Sequence, residues 1–467
     1  MFYNLNPTEA PVFIDESGRS ISYKDAYEQI NCMVDAIGAD KKDLAFLYLD
    51  QSVSSALAYL SFLNSGQASL LIDSAQNDEL KTSLLELYKP RWIWTLDEDI
   101  DRYQYAQRNC PIGYLYERID YVPSDIHSNV AILLSTSGTT GSPKLIRLSF
   151  SNLESNAQSI KQYMQITDKD RAITTLPFFY SFGLSVLNSH LAAGARIICT
   201  NDGLFDKRFW LTMHDQKITF LAGVPFTFEM LERIRFERIK LPALRLLVEA
   251  GGKLIPERVR NFYEIARKGG FVFLVMYGQS EATARIAYVP FEQLSKKTGS
   301  IGICIPGGKL WIESNGEKVS DPGVDGELVY QGDNVMMGYA CSIEDLSKPD
   351  EMKGLLRTGD IAKMDEDGFF YIIGRNKRFI KIAGLRLNLD EIESYLNNET
   401  SHPSVVYGED EILKILVETE DESLANDAKE MIVSRFRLHP QRIQSGLVNK
   451  IPRNSSGKIQ YTRLEKR

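Results

Sequence analysis

Ser135-Thr136-Ser137-Gly138-Thr139-Thr140-Gly141-Ser142-Pro143-Lys144 follows directly on the apolar run Val130–Leu134, so a strand is expected to deliver the chain into a hydroxyl-rich bend that ends on a lysine. The two glycines let backbone N–H groups converge on an anion, the six hydroxyls add donors, and Lys144 adds a mobile positive charge. A polyphosphate is the guest such a bend suits. Composition by itself also fits a plain Ser/Thr/Gly surface turn. A Walker-type loop does not fit. Counting from Gly138, Pro143 occupies the place of the second glycine, and Leu145 stands where the magnesium-binding hydroxyl should follow the lysine.

Outward from that bend, apolar runs alternate with helix-like stretches: Ala172–Leu176, Arg196–Cys199, Ile218–Leu221, Leu244–Val248 and Phe271–Met276. Such alternation predicts strand–helix–strand units around a largely parallel sheet, an α/β fold. Leu153, Ala157, Ile160 and Met164 share one face of a helix, with Ser151 and Glu154 as its expected capping box. After Gly299, glycines at 302, 307, 308, 316, 323, 326 and 332 punctuate short strands such as Lys309–Glu313 and Glu327–Tyr330, predicting a small β-rich subdomain. A polar break at Gly374–Arg378 then precedes a helix from Asp390. Glu232–Lys240 alternates charges as an exposed helical face would.

Composition narrows the class further. A chain of 467 residues, 43% apolar and 25% charged, predicts two or three packed units. A net charge of −8 supplies no basic face for nucleic acid. No apolar run approaches the ~20 residues of a bilayer span, so no membrane span is expected. Met1-Phe2-Tyr3-Asn4 lacks the basic-then-apolar pattern of a signal peptide. Five scattered cysteines without a Cys-x-x-Cys pair fit neither a disulfide framework nor a zinc site, so a cytoplasmic protein is expected. The five histidines show no metal-ligand spacing and read as structural.

The 135–144 stretch resembles the phosphate loop of the adenylate-forming (ANL) superfamily, which includes acyl- and aryl-CoA synthetases, peptide-synthetase adenylation domains and beetle luciferases. Further motifs arrive in that family's order. Tyr277-Gly278-Gln279-Ser280-Glu281 resembles its Tyr-Gly-x-Thr-Glu segment, whose tyrosine stacks on adenine and whose glutamate holds magnesium; Ser280 stands where threonine is usual. Ala250-Gly251-Gly252-Lys253-Leu254 is similar to its adenine-pocket turn. Leu356-Arg357-Thr358-Gly359-Asp360, ahead of Asp367–Arg375, matches the Thr-Gly-Asp whose carboxylate accepts from both ribose hydroxyls. Asn449–Lys458 resembles the C-terminal signature that ends on the catalytic lysine.

The resemblance implies a large N-terminal domain over 1–373, built of parallel-sheet subdomains plus the β-rich one, and a small mobile α+β C-terminal domain over 374–467. It implies ATP-dependent activation of a carboxylic acid as acyl-adenylate, with Mg2+, and transfer to coenzyme A or a carrier-protein phosphopantetheine. Catalytic roles fall to Lys458, Glu281 and Thr139, with Glu281 as the metal ligand. Nucleotide contacts fall to Thr136, Ser137, Gly138, Thr139, Thr140, Gly141, Lys144, Gly251, Gly252, Lys253, Tyr277, Gly278, Gln279, Ser280, Asp360 and Arg375, and the hinge to Lys377. The segment Lys381–Arg386 is expected to replace Lys458 at the site for thioester formation.

Leu176–Leu184 resembles the stretch that lines the acyl site, which gives Tyr180, Ser181, Phe226 and Arg285 as pocket candidates. Tyr180 stands where many members carry a histidine gate. No aspartate is present there to pair an α-ammonium, which favours an acyl or aryl acid over an α-amino acid. Arg285 reads either as solvated or as a partner for a second carboxylate. A luciferase-like oxygenase would share every motif above, and two further rivals remain. Ser280 in Gly278–Ala282 nearly fits a nucleophile elbow, with Asp360 and His402 or His439 downstream, as in a serine hydrolase. A non-catalytic nucleotide-binding relative is the other.

Overall fold

The computed structural model describes the chain except at residues 1–2, 4–6, 39, 77, 99–103, 136–143, 376–377, 383–384, 410, 437, 454–458 and 466–467. The described residues divide into two compact units. One takes in the chain up to Lys309 together with Gln331–Leu356; the other comprises Leu310–Tyr330 and the chain from Arg357 onward.

The first unit carries two sheets. One has nine strands in the order Ile303–Cys304, Ala287–Val289, Val272–Tyr277, Leu246–Glu249, Phe220–Gly223, Arg171–Ile173, Arg196–Ile198, Pro11–Ile14 and Ser20–Ser22. From Val272–Tyr277 through Pro11–Ile14 every neighbouring pair is parallel. The other sheet has eight strands, with the parallel set Val130–Ser135, Ala68–Asp73, Leu44–Leu49 and Trp92–Thr95 at its centre. Parallel strands are covered on both faces, which is why Leu44–Leu49 is an unbroken apolar run and buried at every residue. Helices Val53–Asn64 and Ser181–Ala192 are buried nearly all round, as befits helices without a solvent face. Both feed one core that joins Phe13, Leu47, Leu57, Leu148, Leu153 and Leu187.

Two local expectations change. Helix Phe150–Met164 buries the anticipated Leu153, Ala157, Ile160 and Met164, but its capping box is Ser149 with Asn152, not Ser151 with Glu154. Asn152 wins because its amide also donates to the Asp333 and Val335 carbonyls, at 2.6 and 2.8 Å, whereas Glu154 stays exposed. Glu232–Lys240 is not one helix. The helix Pro225–Arg233 stops, Arg235 turns left-handed, and a short 3-10 turn buries Phe236 against Phe262, Phe271 and Trp210.

In the second unit, the strands Glu317–Val319, Lys309–Ser314, Gly326–Gln331, Leu355–Met364 and Phe370–Arg375 form a five-stranded sheet. A hairpin of Phe379–Ile382 and Leu385–Asn388 follows, with Lys381 opposite Arg386. The strands Ser404–Glu409, Ile412–Glu418 and Ile443–Val448 then pack under helices Leu389–Glu399 and Glu422–Phe436, around Ile392, Leu396, Val406, Ile415 and Ile432. The expected α/β class with a small α+β C-terminal part is what the chain adopts. Among the described residues no helix is long and apolar enough to cross a membrane.

Candidate active site

Four adjacent parallel strands release their loops at one edge of the nine-stranded sheet, the carboxyl edge where ligands of open α/β sheets gather. Arg171–Ile173 leads to Tyr180 and Ser181, Phe220–Gly223 to the helix from Pro225, Leu246–Glu249 to Gly251 and Gly252, and Val272–Tyr277 to Gly278 and Glu281. Two of these turns require glycine. Gly251 has φ +92°, and a β-carbon there would lie 2.7 Å from the Tyr180 hydroxyl. A β-carbon on Gly278 would stand 1.8 Å from the Ala284 carbonyl oxygen, closer than any packing permits.

The Tyr277–Glu281 segment is pinned from a distance. Gln279 Nε2 donates to the Tyr277 hydroxyl at 3.1 Å. After the 3-10 turn Ser280–Ala282, Thr283 takes φ +62°, and its hydroxyl donates to the Asn334 carbonyl at 2.7 Å. Asn334 Nδ2 returns bonds to the carbonyls of Ala282 and Arg285, at 2.8 and 2.9 Å. Glu281 is reached by a second residue the sequence reading did not single out. The Tyr339 hydroxyl donates to Glu281 Oε1 at 3.1 Å, and Lys144 Nζ lies 3.3 Å from the centroid of the Tyr339 ring. Tyr339 sits on strand Gly338–Ala340, paired antiparallel with Leu145–Ser149. The exit of the hydroxyl-rich bend and the candidate metal ligand are therefore joined through one phenol, a link between residues 144, 281 and 339 that no local pattern announces.

The remaining candidates fall in several places. Ser181 begins a helix, and its Oγ lies 2.9 Å from Ser280 Oγ. Ser280 thus hydrogen-bonds a serine, and no histidine contact to it occurs among the described residues. Gly252 and Lys253 are exposed, and Phe226 is 53% exposed on the first turn of its helix. Arg285 is not solvated: it is 2% exposed. In the second unit Asp360 is buried on strand Leu355–Met364 and pairs in register with Arg375. Thr136, Ser137, Gly138, Thr139, Thr140, Gly141, Lys377 and Lys458 lie outside the described residues. The chain on either side of 454–458 is tied by a bridge between Arg453 and Ile459 and by the Gln460 N–H on the Pro452 carbonyl, at 2.9 Å.

Magnesium fits this donor set. It takes one or two carboxylates and completes its shell with phosphate oxygens and water. Glu281 is a half-buried carboxylate with one oxygen engaged by Tyr339, and no larger cluster of ligating side chains occurs among the described residues.

Residues 4–340 match the family model described as AMP-binding enzyme. The chain belongs to that family. It is 30% identical over 351 residues to the 2-succinylbenzoate–CoA ligase of Bacillus licheniformis, spanning 72% of this chain and 70% of the relative. It is 29% identical over 357 residues to the indoleacetate–CoA ligase of Aromatoleum aromaticum, spanning 73% and 68%. Its fold superposes on O-succinylbenzoate coenzyme A synthetase (MenE) from Bacillus subtilis in complex with ATP and magnesium ion, with TM-score 0.79 and 21% identity, covering 99% of this chain and 97% of that one. This AMP-binding enzyme is an acyl-CoA synthetase-like ligase, and neither the Ser280 hydrolase nor the non-catalytic relative is favoured.

Proposed function

We propose that this enzyme joins the carboxylate of a small organic acid to the α-phosphorus of ATP and then passes the acyl group to a thiol, that of coenzyme A. The observation that carries the proposal is the Lys144–Tyr339–Glu281 contact, which sets a cation and a carboxylate together where the hydroxyl-rich bend returns to its strand.

In the first step the acid's oxygen bonds to the α-phosphorus as the bond to the bridging oxygen breaks, and pyrophosphate leaves. Anion must approach anion. Two unit charges 4 Å apart repel by roughly 4 kcal/mol at an effective dielectric of about 20, about three powers of ten in rate. Lys144, the donors of 136–141 and Lys458 offset that repulsion and hold the attacking oxygen in line. Magnesium, held by Glu281, supplies further neutralisation of phosphate charge. No side-chain nucleophile is needed, because a carboxylate is already deprotonated. In the second step the thiolate sulfur bonds to the acyl carbon, AMP leaves, and the thiol proton passes to solvent.

Tyr277, Gly251, Gly252 and Lys253 are read as the adenine side of the site, Asp360 and Arg375 as the ribose side, and Lys377 as the hinge between 1–373 and 374–467. A carrier-protein phosphopantetheine is the other acceptor to test. Dependence on ATP and coenzyme A, and cysteines left unpaired among the described residues, support a cytoplasmic place of work. The test is pyrophosphate exchange across a panel of carboxylic acids, with mass spectrometry of the thioester. Lys458→Ala should slow adenylate formation at least about a hundredfold and spare thioester formation from supplied adenylate. Equal loss of both half-reactions would refute the assignment of Lys458.

A further inference from the structure

Beside the loops just described lies a buried polar cluster that adenylate chemistry leaves unused. The Arg285 guanidinium carbon is 4.0 Å from the centroid of the Phe182 ring. Its Nη1 reaches the Ala284 carbonyl at 3.4 Å, the Tyr163 hydroxyl bonds to the guanidinium, and its Nε has no partner among the described residues. Within electrostatic reach are the Tyr180 hydroxyl and Glu249, the last residue of strand Leu246–Glu249. Glu249 is fully buried, and both its carboxylate oxygens lack a hydrogen-bond partner among the described residues. Three unsatisfied polar atoms therefore collect two residues before Gly251 and four after Glu281. Tyr180, half-buried against Gly251, is the member of the cluster that reaches the loop surface.

The chemistry of these groups selects a guest. Buried polar atoms in native proteins are nearly always satisfied, and those that are not call for an explanation such as a ligand. Burial pushes the Glu249 carboxyl well above the ordinary carboxylate range, which favours its neutral form, a hydrogen-bond donor. Arg285 makes no salt bridge among the described residues, and its planar fork suits a carboxylate. A methyl-ended acyl chain would leave all of these groups unmet, and an ammonium would be repelled.

We propose that Arg285, helped by Glu249, Tyr163 and Tyr180, receives a second carboxylate, so that the acid this enzyme activates is a dicarboxylic acid held by its far end. The proposal rests on the adenylation activity proposed above and adds the substrate class.

The experiment is pyrophosphate exchange with aliphatic and aromatic acids, each in matched carboxylate-, carboxamide- and methyl-ended forms. The carboxylate-ended acid should be preferred at least about tenfold in kcat/KM. Arg285→Leu should erase that preference by raising KM for the diacid while KM for ATP holds, and Arg285→Lys should restore part of it. Exchange that is as good with a methyl- or carboxamide-ended acid overturns the dicarboxylate proposal and leaves adenylation standing, whatever the variants do. Equal loss for all three forms in Arg285→Leu also overturns it, since Arg285 would then act only on the fold. Absence of exchange with every acid overturns both proposals.

Discussion

Tyr339 does two things that a single substitution separates: its hydroxyl holds Glu281, and its ring lies under Lys144. Tyr339→Phe keeps the ring and removes the hydroxyl. A hydrogen bond to a charged group contributes about 1.5–3 kcal/mol, so KM for MgATP in pyrophosphate exchange should rise roughly tenfold or more. An unaltered KM would show that Glu281 needs no such support. His190 makes a different prediction, about stability. Its Nδ1 donates to the Val186 carbonyl at 2.8 Å, its ring meets Phe220 edge-on, and burial pulls its pKa from 6.5 down to about 4. As pH falls from 6.5 toward 4, the unfolded chain takes up a proton that the folded one refuses. Stability that is intact above pH 6.5 is therefore lost through that window, by roughly 3 kcal/mol in all. Urea midpoints between pH 7 and 4.5 should fall more steeply for the native enzyme than for His190→Phe; parallel slopes would contradict the assignment.

Elements place these residues by simple rules with local exceptions. Strand ends at one sheet edge explain why Tyr180, Gly251 and Tyr277 share a neighbourhood although nearly a hundred residues separate the first from the last. Near the C-terminus a comparable tie is made by side chains. The Tyr461 hydroxyl donates to Glu393 Oε1 at 2.6 Å, Arg378 lies 3.8 Å from the Tyr461 ring centroid, and Glu393 also accepts from Arg378 and from the Val406 N–H. Helix Leu389–Glu399, the residue after Lys377 and the start of the last helix are thereby fastened together. Tyr461→Phe leaves a buried carboxylate oxygen short of a donor, at a cost of about 1–3 kcal/mol. Thermal unfolding should show the C-terminal transition lowered by several degrees, and an unshifted transition would mean that water replaces the phenol.

For the molecule as a whole, we propose that the alternation of half-reactions turns on the backbone at residue 377. Proline fixes φ near −65° and restricts the residue before it. Lys377→Pro should therefore leave pyrophosphate exchange close to that of the native enzyme and slow thioester formation at least about tenfold. Equal slowing of both steps would argue against a hinge there. At this scale the sequence was informative where chemistry is local. The strand runs Val130–Leu134, Leu244–Val248 and Phe271–Met276 and the Tyr277–Glu281 turn are all readable, because each follows from contiguous residues. The Ser149–Asn152 cap, the Asn334 pin and Tyr339 were not, because each depends on a partner brought close by sheet pairing.

Arg285 shows the division most sharply. Its position four residues after Glu281 and its membership in an AMP-binding enzyme are fixed by the order of residues alone, because motifs of backbone and charge are written in consecutive letters. Whether its guanidinium meets water or a packed interior was settled only by the tertiary structure, which buries it against the Phe182 ring. Burial is a property of what surrounds a residue in three dimensions, and charge states, counter-ions and substrate preference follow burial rather than sequence.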